Sequence, residues 1–167
     1  MVNKNLRREL LKMMEEDQKM RKNGTCDPSV DKRNTARMKQ IVKNYGWPTY
    51  DLVEKDGAFA AWLLVQHADH DFAFQKKCLH LLDEAVKQGQ ADKTNLAYLT
   101  DRVLVHEGRK QLYGTQFYVS KRKFGPRPIK DRAKLDERRK AVGLEPFHKY
   151  ERTMRKLQIK SPITKSM

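Results

Sequence analysis

The stretch from Gly57 to Gly89, GAFAAWLLVQHADHDFAFQKKCLHLLDEAVKQG, limits the possible folds more than any other part of the chain. Its first half is apolar on nearly every side, the pattern of a helix enclosed by other elements. Its second half is amphipathic, with Cys78, Leu79, Leu82 and Ala85 on one stripe, and Lys76, Lys77, Asp83, Glu84 and Lys87 on the opposite one. Gly89 is placed to cap the end. Between the halves stand Gln66, His67, Asp69, His70 and Asp71. A buried carboxylate costs several kcal/mol, roughly, unless it is paired or hydrogen-bonded. The interruption therefore requires partners from elsewhere in the chain and marks a candidate site. The stretch reads as one helix, either continuous to Gln88 or broken near Ala68.

The flanking segments supply the rest of a bundle. Asn3 to Asn23 reads as a helix with Leu6, Leu10, Met13, Met14 and Met20 on one face, and Asp17 falls in that stripe with Arg21 one turn later. A loop from Gly24 to Pro28 ends it, and Asp27 or Ser29 can cap a second helix running to about Tyr45, with Met38, Ile41, Val42 and Tyr45 facing the core. Gly46, Trp47 and Pro48 stop that helix, and Thr49 to Asp56 reads as irregular. A further helix from about Asp92 to Glu107 repeats the central pattern, with Thr100, Asp101 and Arg102 inside an apolar run. After Gly108 the sequence QLYGTQFYVS favours β-structure, so a hairpin is expected at about 111–130. Gly114 in its first strand predicts a bulge or a close backbone approach. Charged helices over Asp131–Gly143 and Pro146–Leu157 complete the pattern. The expected architecture is mainly α: a single-domain bundle of five to six helices over residues 1–157, a small β-hairpin inserted after the fourth helix, and a flexible basic tail over 158–167.

A chain of 167 residues can bury a core without disulfide staples, and its two cysteines, Cys26 and Cys78, are too few for a disulfide framework or a four-cysteine zinc site. Both are expected as free thiols. The N-terminal residues are charged throughout, unlike a signal peptide, and no run reaches the ~20 apolar residues of a membrane span, so a cytoplasmic protein without membrane contact is expected. Of the net charge of +15, residues 119–167 carry +11, from 16 Lys/Arg against 5 Asp/Glu. Such a region can contact phosphates, steer an anionic substrate or confer solubility.

In helical geometry His67, Asp71 and Gln75 lie one turn apart. An imidazole above a carboxylate can hold half of a divalent metal site, giving His67 and Asp71 as ligands with Asp69 and water. It can also form a base and its orienter, or a purely structural pair. The candidate catalytic set is His67, Asp69, Asp71, Asp101 and Arg102, with Arg102 able to clamp an anion or to neutralise an internal carboxylate. The candidate ligand-binding set is Asp17, Arg21, Arg37, Gln75, Thr115 and Gln116. The His70-Asp71 doublet does not match metal-dependent phosphohydrolases, because no histidine precedes His67 to supply the upstream ligand. No H-E-x-x-H motif, paired Glu-x-x-His motif or phosphate-binding loop is present.

The segments GWPT at 46–49, GAFAAWLLVQHADHD with Gln75, AYLTDRVL at 97–104, QLYGTQF at 111–117 and the later DERR and VGL resemble an uncharacterised conserved domain family of small bacterial proteins. The resemblance covers about residues 6–150. It implies that Asp17, Gln18, Arg21, Asn34, Arg37, Gln66, His67, Asp69, Asp71, Gln75, Thr100 to Arg102 and Gly114 to Gln116 belong to the family pattern, and that His70 is variable within it. It implies no reaction. The chain departs from the pattern at Glu54, where similar proteins tend to have Gly, and in the basic turn Lys121 to Arg127.

Three functions fit these residues. One is a small, hydrolase-like enzyme or a binder of a polar or anionic small molecule, with a buried polar pocket. Another is a nucleic-acid-binding module acting through Lys121, Arg122, Lys123, Arg127, Lys130, Arg138 and Arg139, with Tyr118 or Phe124 stacking on bases. The last is an interaction protein whose polar network only fixes helix packing. The sequence leaves the oligomeric state open.

Overall fold

The structure, a computed structural model, describes residues 1–22, 27–120 and 123–160, with only the backbone at 159 and 160. The expected loop at Gly24 and Thr25, the thiol of Cys26, the cations Lys121 and Arg122, and the tail from residue 161 onward lie outside the described residues. The chain divides into two compact units, Met1–Leu96 and Ala97–Met167.

In the first unit, α1 (Lys4–Lys22), α2 (Pro28–Tyr45) and α4 (Phe72–Lys87) surround the apolar α3 (Tyr50–Gln66). Both α1 and α2 pack against α3, which accounts for the apolar second half of α3, where Ala60, Ala61, Leu64 and Val65 are all buried. Asp27 caps α2 by accepting from Ser29 N at 2.9 Å, and Pro28 opens the helix where its missing N–H does no harm. Leu6 and Leu10 of α1 point inward as expected, whereas Tyr45 at the end of α2 is exposed.

Thr49 to Asp56 is not an irregular lead-in, because helical structure starts at Tyr50 and is interrupted only at Glu54. Glu54 has φ 60° and ψ 177°, a backbone conformation that glycine adopts without strain and other residues rarely do. This is the position at which the resemblance implies a glycine. Arg7 of α1 reaches across to Asp56 at 2.8 and 2.5 Å and to Glu54 at 3.3 Å.

The central stretch is two helices. α3 ends at Gln66, residues 67–71 form turns, and α4 begins at Phe72. Asp71 is the reason for the restart: its side chain accepts from Phe74 N at 3.1 Å, so it serves as the N-cap of α4. The hairpin therefore follows the fifth helix, and seven α-helices are present among the described residues.

α5 (Lys93–His106) begins in the first unit and continues into the second. The second unit then holds an antiparallel hairpin of β1 (Phe117–Ser120) and β2 (Lys123–Pro126), a single 3-10 turn, α6 (Leu135–Ala141) and α7 (Phe147–Lys160). Phe117 stacks on Phe124 at 5.1 Å between ring centroids and meets Phe147 and Tyr150 of α7, which forms the small core of this unit. Gly114 precedes the strand rather than lying inside it. It has φ 71°, and a Cβ there would stand 2.7 Å from the Phe147 ring, so the close approach is real. Among the described residues no helix is long and apolar enough to cross a membrane.

Candidate functional site

The candidate site residues fall into two sets, one in each unit. The first is built on Asp17. Spacing of seven residues from Leu10 places Asp17 on the buried face of α1, where its side chain is fully inaccessible. Its carboxylate is surrounded by side-chain donors. His67 Nδ1 lies 2.9 and 3.0 Å from its two oxygens. Gln18 Nε2 donates at 2.8 Å, and Arg21 approaches through Nε at 3.3 Å and Nη2 at 3.2 Å. Arg21 Nη2 also donates to Asp31 of α2 at 2.6 Å, so the guanidinium joins two carboxylates from two helices. The expected partners from elsewhere in the chain are thus Asp17 and, through Arg21, Asp31.

These contacts set the charge states. Burial alone would raise the Asp17 carboxyl, but hydrogen bonds from His67 and Arg21 outweigh it and hold the group down at about 2. Asp31 moves the other way: its burial raises it, as does the neighbouring Asp17 charge, and Arg21 only partly offsets them.

His67 Nδ1 also lies 3.1 Å from Arg21 Nε, and the two contacts demand opposite tautomers. Asp17 can only accept, so the Nδ1–H form is the one that satisfies both atoms of the closer pair. That tautomer leaves Nε2 with a free lone pair on a side chain that is 18% exposed.

The i, i+4 relation of His67 and Asp71 does not exist, because the chain between them is not helical. Asp71 pairs with Lys39 of α2 and caps α4, and the Lys39 contact keeps its carboxyl low. The orienting carboxylate of His67 is therefore Asp17, not Asp71. The fully buried Gln75 ties the break together by donating to Val65 O at 3.1 Å, Gln66 O at 3.3 Å and Asp69 Oδ1 at 3.2 Å. It thus satisfies carbonyls that the end of α3 would leave open. Arg37 is held by Glu9 of α1 at 2.5 and 3.0 Å and by Gln40 at 2.8 Å. His70 is exposed. Among the described residues no group of three or more His, Cys, Asp and Glu side chains is arranged to hold a metal ion. Cys78 is buried and free, and its burial pushes the thiol up to about 12, away from thiolate chemistry.

The second set is built on Asp101 of α5, also fully buried. Its carboxylate accepts from Leu112 N at 2.7 Å, Tyr113 N at 3.0 Å, Thr115 N at 2.9 Å and Thr115 Oγ1 at 3.0 Å. Burial raises this carboxyl, against the pull of those donors. The same loop presents its carbonyls to α6. Arg138 Nε donates to Leu112 O at 2.8 Å, and Arg139 donates through Nη1 to Tyr113 O at 2.6 Å and through Nε to Glu145 O at 2.7 Å.

Arg139 is completely buried, with the rings of Tyr150 and Phe147 at 4.9 and 5.7 Å, and no carboxylate among the described residues is bonded to it. Arg139, expected as a nucleic-acid contact, is therefore buried away from it, whereas the half-exposed Arg138 uses Nε and Nη2 on backbone carbonyls. Thr115 and Gln116 lie in the loop before β1 rather than on a strand. Gln116 contacts Thr115 Oγ1 at 3.1 Å and receives Arg102 Nη1 at 3.5 Å. Sequence reasoning missed the fully buried Gln111, which donates to Gln116 O at 3.0 Å and Arg127 O at 2.8 Å and accepts from Gln116 N at 2.8 Å. Its one sequence signal is a lone amide ahead of a β-favouring run.

Fold and site together define a mainly helical protein whose first unit carries a buried aspartate-histidine pair tied by arginine to a second aspartate. The chain belongs to a family of unknown function (DUF6624), whose profile matches residues 4–159. No curated protein and no solved structure matches it.

Proposed function

We propose that this chain is a small enzyme of acid-base type that hydrolyses a polar, anionic substrate, with His67 as general base. The observation that carries this reading is the 2.9 Å contact between His67 Nδ1 and the fully buried Asp17 carboxylate. A carboxylate in that position fixes the imidazole tautomer and stabilises the imidazolium once Nε2 has taken a proton from water. The proton then passes from Nε2 to the leaving group. Asp17 remains ionised throughout because its donors hold it low. Arg21 uses Nε and Nη2 inside the network, while its Nη1 makes no hydrogen bond among the described residues and faces the role of anion contact.

The test is a hydrolysis screen of the purified chain against chromogenic carboxylic esters, phosphomonoesters and phosphodiesters, run beside His67→Ala and Asp17→Asn. The expected result is turnover of one class that falls by about 10²–10⁴ in either variant. A folded His67→Ala protein with undiminished turnover contradicts the proposal.

A second reading is supported by charge. Residues 97–167 hold 19 Lys/Arg against 7 Asp/Glu, a net of +12. Lys123, Arg127 and Lys130 remain exposed for phosphate contact. This reading predicts RNA or DNA binding that weakens steeply with salt, and undetectable binding at low ionic strength contradicts it.

A further inference from the structure

The hairpin of the second unit sorts its two candidate base-stacking rings, Tyr118 and Phe124, onto opposite faces. The register pairs Tyr118 with Gly125, Val119 with Phe124 and Ser120 with Lys123. Opposed residues share a face and neighbours along a strand alternate, so Phe117 and Phe124 lie on one face, and Tyr118, Ser120, Lys123 and Gly125 on the other. The fold uses the first face: Phe124 stacks on Phe117 with 9° between their planes, and Phe117 meets Phe147 and Tyr150 of α7. On the second face the Tyr118 ring lies across Gly125, where a Cβ would stand 3.2 Å from its Oη and 3.4 Å from its Cε1 and Cζ. Glycine thus lets the ring lie flat on the neighbouring strand, with its other side turned outward. No other ring among the described residues packs on Tyr118.

Charge selects what meets this face. Residues 111–130 hold five Lys/Arg and no Asp/Glu. Lys123, Gly125 and Arg127 are spaced by two, and Arg127 N donating to Gln116 O at 2.9 Å continues the ladder, so the ring over Gly125 has a cation on each side. Both cations are exposed, and neither forms an ion pair among the described residues. The Arg127 guanidinium stands 5.9 Å from the Tyr118 centroid, at the outer edge of cation–π range, roughly 6 Å, so it flanks the ring without covering it.

We propose that the outer face of the hairpin binds single-stranded nucleic acid, with one base stacked on Tyr118 and the phosphates on either side of it held by Lys123 and Arg127, a proposal that rests on the charge-based reading of this unit. A single strand offers both base faces and phosphates, whereas a duplex hides its base faces and would meet the cations alone. A lipid surface calls for apolar side chains projecting among the cations, and the neighbours of Tyr118 on this face are Ser120 and Lys123.

The test is fluorescence anisotropy of the full chain at low ionic strength with labelled oligothymidine, oligouridine, an abasic strand and a duplex, all of one length, beside co-sedimentation with phosphatidylcholine–phosphatidylglycerol vesicles. Oligothymidine or oligouridine is expected to bind at least about tenfold more tightly than the abasic strand. Tyr118→Leu keeps Gly125 covered but removes the stacking face. It is expected to weaken the base-bearing single strand by about tenfold and to leave the abasic strand and the duplex unchanged, which also reports that the variant is folded. Tyr118→Phe is expected to bind as the wild type does. Lys123→Ala and Arg127→Ala are each expected to lower the slope of log affinity against log salt by about 0.7. No binding to any oligonucleotide overturns this proposal together with the charge-based reading. An abasic strand bound as tightly as the base-bearing ones, or a Tyr118→Leu chain that binds them unchanged, overturns the stacking on Tyr118 and leaves phosphate contact standing. Binding to the vesicles alone overturns both and assigns the face to a lipid surface.

Discussion

Asp17 in the first unit and Asp101 in the second are both fully buried helical carboxylates, and they are satisfied by opposite kinds of partner. Asp17 is held by the side chains of His67, Arg21 and Gln18. Asp101 is held by three backbone N–H groups and the Thr115 hydroxyl. Three of the four donors are backbone groups of one loop, so the Asp101 arrangement anchors that loop. Side-chain donors keep other faces: His67 retains Nε2 and Arg21 retains Nη1. A buried charge is therefore a poor guide to function on its own, and the nature of its partners separates a loop anchor from a candidate site. The surroundings differ in the same sense. Residues 1–96 carry a net charge of +3, from 17 Lys/Arg against 14 Asp/Glu, and 97–167 carry +12, yet the two arginines nearest the Asp101 loop serve its carbonyls.

The largest expected effect breaks the loop side of this comparison. Asp101→Ala leaves several buried donors unsatisfied and is expected to cost about 3–5 kcal/mol in denaturant unfolding. A loss below about 1 kcal/mol would mean that the loop holds itself.

Asp17→Asn tests the other side. It is expected to cost about 2 kcal/mol at neutral pH, and its pH dependence has a definite sign. The Asp17 carboxyl sits at about 2 in the folded chain against an ordinary 3.8. Its stabilisation is therefore fully present above the ordinary value and is lost as pH falls through about 2. Wild type should lose stability across that window, and Asp17→Asn should lose less. Asp101 has the reverse sign, because its raised carboxyl gives a contribution present at low pH and lost as pH rises through the folded value. Urea unfolding from pH 2 to 6 of wild type, Asp17→Asn and Asp101→Asn separates the two.

Glu54→Gly is expected to stabilise the chain by about 1–2 kcal/mol in thermal unfolding, because glycine removes the strain at φ 60°. The exposed Arg7 to Glu54 pair that it deletes contributes little. The smallest effect is expected from the triple change of Lys123, Arg127 and Lys130 to Ala. It should alter stability by less than about 0.5 kcal/mol, while reducing the salt dependence of any nucleic-acid binding by the second unit.

Much of this was legible in the sequence. The mainly helical class, Asp27 as one of two candidate caps for α2, the enclosed second half of α3, the hairpin and the place of Asp17 in the apolar stripe of α1 all followed from periodicity and capping chemistry. The break at 67–71 was harder to read, because no glycine or proline marks it and the apolar period continues on both sides. The signal was Asp71 three residues before Phe74, a cap hidden inside a helical pattern. That one break moved the orienting role from Asp71 to Asp17, fifty positions away in sequence, a pairing that no local spacing can reveal. The role of Arg139 was equally hidden. In a basic run it reads as surface charge, and only the carbonyls of Tyr113 and Glu145 and the ring of Tyr150 show it to be core.

The central claim is that Asp17 fixes His67 with its proton on Nδ1. Long-range nitrogen-15 to proton correlation spectra of the histidine rings, recorded at a pH where His67 is neutral, measure this directly. The account predicts a protonated Nδ1 and an unprotonated Nε2 for His67 in the wild-type chain, with that preference lost in Asp17→Asn. A His67 ring protonated at Nε2, accepting from Arg21 through Nδ1, would contradict it.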